Sequence, residues 1–139
     1  MSNRTFDLLL FAMLCPIAAV TLSAGVARAA NDEGMLAFNN HCRQCHSYKK
    51  DDNRLGPSLY GIVGRKAGSL GSYNNYSQAL KNSNITWTPE ALDKWITKPD
   101  ALVSDNNMGT IFSGLDDAAQ RKSIIDFLKA DTHLNTGTK

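Results

Sequence analysis

The chain has 139 residues and a formal charge of +2, enough for one small domain and too little surplus charge for a nucleic-acid-binding protein. No basic cluster with interleaved aromatics occurs anywhere in it, and no internal repeat or low-complexity tract divides it. A chain of this size buries only a modest apolar core by itself, so something other than side chains is expected to complete the interior.

The N-terminus reads as an export signal. Arg4 precedes the apolar run Leu8-Leu9-Leu10-Phe11-Ala12-Met13-Leu14, and small residues follow, ending in Ala27-Arg28-Ala29, an A-x-A cleavage pattern. Residues 1–29 are therefore expected to be removed and the mature chain to start at Ala30 in the periplasm. No charge falls between Asp7 and Arg28, so an uncleaved segment would be nearly long enough to act as a membrane anchor. Cys15 lies in the apolar stretch without the small preceding residue of a lipoprotein signal, and would leave with it. Arg4, Arg28 and Asp7 leave too, so residues 30–139 keep 13 Lys+Arg against 12 Asp+Glu. The pI of about 8.5 for the whole chain overstates the basicity of that part.

Helical period first shows at Met35, Phe38, Cys42 and Cys45, with Asn31 or Asp32 as the expected cap and Asp32 and Glu33 in the first turn. This helix ends in Cys42-Arg43-Gln44-Cys45-His46, a C-x-x-C-H sequence that reads as a c-type haem attachment site. Cysteines three apart share a helix face, so both thiols can add to the two vinyl groups of one porphyrin, and His46 can turn its imidazole under the ring as an iron ligand. A disulfide-exchange motif or a zinc site is the alternative for a bare C-x-x-C. The first needs a βαβ context, and what precedes Cys42 is helix-like. The second needs further ligands at metal spacing, and His41 and His133 serve poorly.

From Ser47 to Gly71 the composition turns to Lys, Asp, Gly and Pro, which predicts a long loop wrapped around something. A short helix is expected over Ser77–Lys81. A longer one is signalled by Thr88 as cap, Pro89 at the first helical position, Glu90 in the first turn, and Leu92, Trp95 and Ile96 as its apolar face, ending at Pro99. The last helix opens at Asp116 and carries Ile124, Ile125, Phe127 and Leu128. The segment from Asp131 to Lys139 is polar and expected to fray. The fold class is all-α with substantial loops.

An electron-carrying haem commonly pairs its histidine with a methionine sulfur, and only Met35 and Met108 remain after the signal. Met35 stands on the helix that presents His46. Met108 lies in the polar stretch Ser104-Asp105-Asn106-Asn107-Met108-Gly109-Thr110, which can fold over the opposite face, so Met108 is the expected sixth ligand.

With these pieces in order, the chain resembles the class I c-type cytochromes, the bacterial relatives of mitochondrial cytochrome c, across nearly all of residues 32–129. Gly34 and Phe38 stand eight and four residues before Cys42, as in that family, where they pack on the last helix; Ile124, Phe127 and Leu128 match that helix's contact positions. Gly56-Pro57 matches the Gly-Pro whose proline carbonyl accepts the proton on the far nitrogen of the haem-ligating histidine. Arg65, Tyr76 and Trp87 resemble the family's partners of the haem propionates. The resemblance implies a small single-domain fold around one covalent, thioether-linked haem c. It also implies a monomeric, non-enzymatic electron carrier serving a respiratory or photosynthetic chain. Its partners would be redox proteins such as a membrane cytochrome complex, oxidase, reductase or dehydrogenase. Other readings are a haem protein with a labile sixth ligand, acting as a peroxidase or gas sensor, and an anchored module of a larger complex.

The chain departs from that pattern in five places. Ser104-Asp105-Asn106-Asn107 replaces the family's Pro-Gly-Thr-Lys before the methionine, and Gly109-Thr110-Ile111-Phe112-Ser113-Gly114 is about two residues longer than the commonest form. Trp95 takes the place of a tyrosine that hydrogen-bonds the methionine sulfur, and Leu80 falls where an asparagine often stands. Asp100 follows Pro99 where relatives carry lysine, so the partner-facing rim is expected to be mixed in charge, with Ile111 or Phe112 as its apolar part.

Overall fold

The computed structural model describes the backbone of residues 21–134 and the side chains of residues 27–130. Five helices follow in order: α1 Thr21–His41, α2 Gln78–Asn82, α3 Pro89–Thr97, α4 Pro99–Leu102 and α5 Ala118–Leu134. Among the described residues there is no strand, only an isolated antiparallel bridge between Lys66 and Thr86. The all-α expectation holds.

Helix α1 is already formed at Thr21, ten residues before the expected cap at Asn31 or Asp32, because the stretch to Ala30 holds four alanines and no proline, and the lone Gly25 is tolerated within it. Asn31 thus sits inside the helix, its Oδ1 buried without a hydrogen-bond partner. Most of the expected export segment, Cys15 included, lies outside the described residues. Among those described, no helix is long and apolar enough to cross a membrane.

The core is built where α1 crosses α5. Phe38 and Ile124 are fully buried, and Phe38, Tyr48 and Phe127 form an aromatic trio with ring centroids 5.2–5.7 Å apart. Each such side chain contributes roughly 1.5–3 kcal/mol by leaving water. The crossing is close because of Gly34: a Cβ there would strike the Ser123 carbonyl oxygen and come within 2.6 Å of Phe127 Cβ. Nothing larger fits without parting the helices.

Helix α3 begins as predicted, with Thr88 Oγ1 accepting from the Ala91 N–H at 3.2 Å and Pro89 in the first turn. It ends at Thr97, and Pro99 does not simply stop it but opens α4, a four-residue turn too short to leave a periodic signal. Helix α2 runs one residue later than expected, since Ser77 acts as its cap and accepts from the Leu80 N–H at 3.1 Å. Helix α5 opens at Ala118 and not at Asp116, because Asp117 is the cap: its Oδ1 accepts from the N–H groups of Ala119 at 2.9 Å and Gln120 at 3.1 Å. At its far end α5 continues through Leu134, taking in the first four residues of the stretch expected to fray. Arg121 ties it to α3, donating from Nε to Asp93 Oδ1 at 2.7 Å and from its terminal nitrogen to the carbonyls of Leu115 and Asp116.

Candidate haem site

The C-x-x-C-H sequence sits where α1 runs out. The N–H groups of Cys45 and His46 both donate to the Cys42 carbonyl, at 3.1 and 2.9 Å, so the motif is wound into a turn that continues the helix. Cys42 and Cys45 are free, half-buried thiols. Burial, with the nearby Cys45 adding to it, pushes the Cys42 thiol up to about 12, so it stays protonated. Among the described residues no three His, Cys, Asp or Glu side chains gather as metal ligands, so the zinc alternative finds no partners.

His46 is oriented from the loop that follows. The Gly56 N–H donates to the Cys45 carbonyl at 2.7 Å, which folds the loop back under the motif. Pro57 then presents its carbonyl to His46, with Nδ1 to oxygen at 2.8 Å. A carbonyl can only accept, so the proton resides on Nδ1 and the Nε2 lone pair is free. Burial lowers the imidazole's pKa, and the bond to Pro57 only partly opposes that, so the ring is neutral. Gly56 must be glycine here, since a Cβ would fall into the His46 ring.

Met108 reaches the same interior from the opposite end of the chain. Its side chain, like that of Cys42, packs against the single buried apolar cluster. Its sulfur accepts the Trp95 indole N–H at 3.1 Å, so tryptophan fills the hydrogen-bonding role that the resemblance gives to tyrosine. Trp95 is held edge-on to Trp87 at 5.2 Å. Met35, the alternative methionine, is 37% exposed on α1.

Arg65, Tyr76 and Trp87 come together. The Trp87 N–H donates to the Arg65 carbonyl and the Gly64 N–H to the Trp87 carbonyl, each at 2.9 Å, so the two segments run side by side. Tyr76 lies close enough to Arg65 for their charges to interact, and it packs edge-on against Tyr73 at 4.9 Å. The Arg65 guanidinium donates to the carbonyls of Ser58 at 2.8 Å and Tyr60 at 3.0 Å, and burial lowers its pKa. Those two carbonyls use part of its donor set and leave other N–H groups for an anion. Leu80 packs on the apolar cluster.

The sequence places Asn106 only in a polar loop and Asp100 only on the partner-facing rim. In the structure the buried Asn106 grips the Met108 loop, with Asp100 as its partner at 2.7 Å. An asparagine in a polar loop carries no signal that separates it from its neighbours.

Two half-buried thiols, a neutral imidazole with its Nε2 free and a thioether sulfur on the apolar cluster are the groups that a covalently held haem uses. Fold and donor set together define a c-type haem protein. No profile of a known protein family matches the chain, so the assignment rests on individual relatives. Cytochrome c2 of Rhodopila globiformis is 42% identical over 97 residues, 70% of this chain and 89% of that protein. Cytochrome c of Euglena viridis is 37% identical over 98 residues, covering 70% and 93%. Among solved structures, cytochrome cH from Methylobacterium extorquens superimposes with a TM-score of 0.65 at 35% identity, covering 72% of this chain and 97% of that one. The chain belongs to the class I c-type cytochromes, and its cofactor is one covalent haem c.

Proposed function

We propose that this protein is a soluble, exported one-electron carrier. Cys42 and Cys45 would hold the haem through thioethers, His46 and Met108 would ligate its iron, and Arg65, Tyr76 and Trp87 would serve the propionates. The observation that carries this reading is that both donor groups are aimed before any metal enters. His46 has its Nδ1 committed to Pro57, and Met108 has its sulfur held by Trp95.

When bound, the haem iron supplies a reversible one-electron step between ferric and ferrous states. The chain's own residues set the terms of that step. Neutral His46 gives a strong nitrogen donor whose basicity is raised by the Pro57 carbonyl. The soft Met108 sulfur favours the ferrous state and raises the potential. With His46 and Met108 both holding the iron, oxygen and peroxide would find no coordination site and no substrate would be turned over. Buried propionates need donors, and Arg65 offers fixed charge where Trp87 and Tyr76 offer N–H and O–H groups. Partners are redox proteins of a respiratory or photosynthetic chain, met at the haem edge by a monomer.

Export is supported by Asn31. Its Oδ1 is an orphan inside the continuous α1 helix, and buried acceptors left unpaired are costly. Removal of residues 1–29 places Asn31 at the start of the helix, where the same oxygen can accept a first-turn N–H. Mass spectrometry of the periplasmic protein should give residues 30–139 plus one haem; an intact N-terminus retained in membranes would point to an anchored module.

Met108→Ala tests the ligand set. Haem stays attached, because attachment depends on the cysteines, while the weak ferric absorption band of sulfur ligation disappears, the potential falls and the reduced protein binds carbon monoxide. If band and potential survive the substitution, Met108 is not the ligand. Rapid carbon monoxide binding by the unsubstituted protein would favour a peroxidase or gas sensor.

A further inference from the structure

The Met108 loop has neither the proline nor the lysine that the family places before its methionine, yet it is firmly held. What holds it is a buried amide. Asn106 is 2% exposed, and its Nδ2 uses both hydrogens, donating to Asp100 Oδ1 at 2.7 Å and to the Val103 carbonyl at 2.8 Å. Its Oδ1 accepts the Gly109 N–H at 2.6 Å. One side chain therefore joins α4, through Asp100 and Val103, to the residue that follows Met108. On the other side of Met108, Asn107 Nδ2 donates to the Asn75 carbonyl at 2.8 Å. Gly109 is part of the device, because a Cβ there would run into the Asp100 carboxylate.

We propose that Asn106 is a positioning residue for the sixth iron ligand: with Asp100 and Gly109 it latches the Met108 loop to α4 and so sets how often the sulfur leaves the iron. The inference rests on the reading of Met108 as that ligand. To withdraw, the loop must break the Asn106–Gly109 bond and either carry the amide out of its pocket or leave a buried acceptor unpaired. Both are costly for an amide that is itself buried, and one of the three bonds is charge-assisted. The latch replaces conformational stiffness from proline with a saturated buried polar group.

The test is the rate at which imidazole binds the ferric holoprotein, a reaction that waits for the sulfur to depart. In Asn106→Ala that rate should rise roughly ten- to hundredfold, as expected for losing one to two net hydrogen bonds from the closed state alone, and the ferric sulfur band should weaken. Asp100→Asn keeps an acceptor for Nδ2 without its charge and should accelerate binding least, while Asp100→Ala should accelerate it more, though by a smaller factor than Asn106→Ala. Phe127→Leu thins the α1–α5 contact, where Phe127 meets Phe38 and Tyr48, and should lower stability while leaving the imidazole rate alone. The latch is overturned if Asn106→Ala and Asp100→Ala bind imidazole at the parent rate, or if Phe127→Leu speeds binding as much as they do. Should Asn106→Ala fail to yield holoprotein, Asp100→Ala alone decides. Met108→Ala separates the two readings. If it binds imidazole as slowly as the parent, the ligand assignment fails; if it binds at once while the Asn106 and Asp100 variants remain slow, only the latch fails.

Discussion

Replacing Trp95 with phenylalanine removes the hydrogen-bond donor to the Met108 sulfur and shrinks a buried ring. The indole N–H that it takes away lies 3.1 Å from the Met108 sulfur. A donor on that sulfur withdraws electron density, and ferric iron needs the density more than ferrous iron does. The bond therefore disfavours the oxidised state, and its loss should lower the potential. Thioether sulfur is a weak acceptor, so the bond is worth about 0.5–1 kcal/mol, at the low end for a protein hydrogen bond. At 59 mV per factor of ten for one electron, this corresponds to a drop of about 20–40 mV. Trp95 is also 7% exposed and stacks edge-on against Trp87, so the smaller ring costs stability. That cost should stay below the roughly 3–5 kcal/mol of a full truncation to alanine. Spectroelectrochemical titration measures the potential, and the ferric sulfur band shows that ligation is intact. Trp95→Tyr, which returns a donor, should recover part of the drop. A potential that rises, or moves by less than about 10 mV with the band intact, would falsify the role given to the indole.

Ile124→Ala opens a cavity at the fully buried centre of the α1–α5 crossing and should cost about 2–5 kcal/mol in denaturant unfolding; a loss under about 1 kcal/mol would mean that the crossing is not the main core. At high pH, relatives exchange the methionine for a lysine of the same loop, and residues 101–114 contain none, so the switch here should need Lys98 or hydroxide and occur at higher pH. Resonance Raman of the alkaline form checks this, and an unusually low transition pH counts against it. Electron-transfer rates with a physiological partner should depend weakly on salt, because residues 30–139 are nearly neutral and Ile111 is 68% exposed in the loop that also carries the acidic Asp105. A stopped-flow rate that falls about a hundredfold from low to physiological salt would refute it.

The parts of the site that could be read in the sequence are those fixed by local spacing. C-x-x-C-H needs only a helical turn, and Thr88-Pro89-Glu90 needs only the rules of a helix start. The Pro57 contact with His46 came through resemblance, and the structure supplies its reason in the backfolding of Gly56 onto Cys45. What escaped depends on residues meeting through space. Nothing in the order of residues says that Asn106 turns inward while Asn107 turns toward Asn75, or that Asp100 lies against Gly109. Helix α4 was missed because four residues give no period, and Asp117, not Asp116, caps α5 because the choice between adjacent carboxylates is settled by the geometry of the turn. The early start of α1 has a different origin: a signal-type composition and a helix-forming one coincide in its alanines.

The crossing of α1 over α5 joins the two ends of the described chain, with Phe38 against Phe127. Closing so long a loop carries a length-dependent entropy cost of about 4 kcal/mol, modest because it grows only with the logarithm of length. Its timing matters more. Helix α1 precedes α5 by most of the described residues, so this contact cannot form until α5 has been made. A chain truncated before Ile124 would present the apolar face around Phe38 to water and to proteases. Among the described residues, shelter for the aromatic face of α1 thus waits on the last helix.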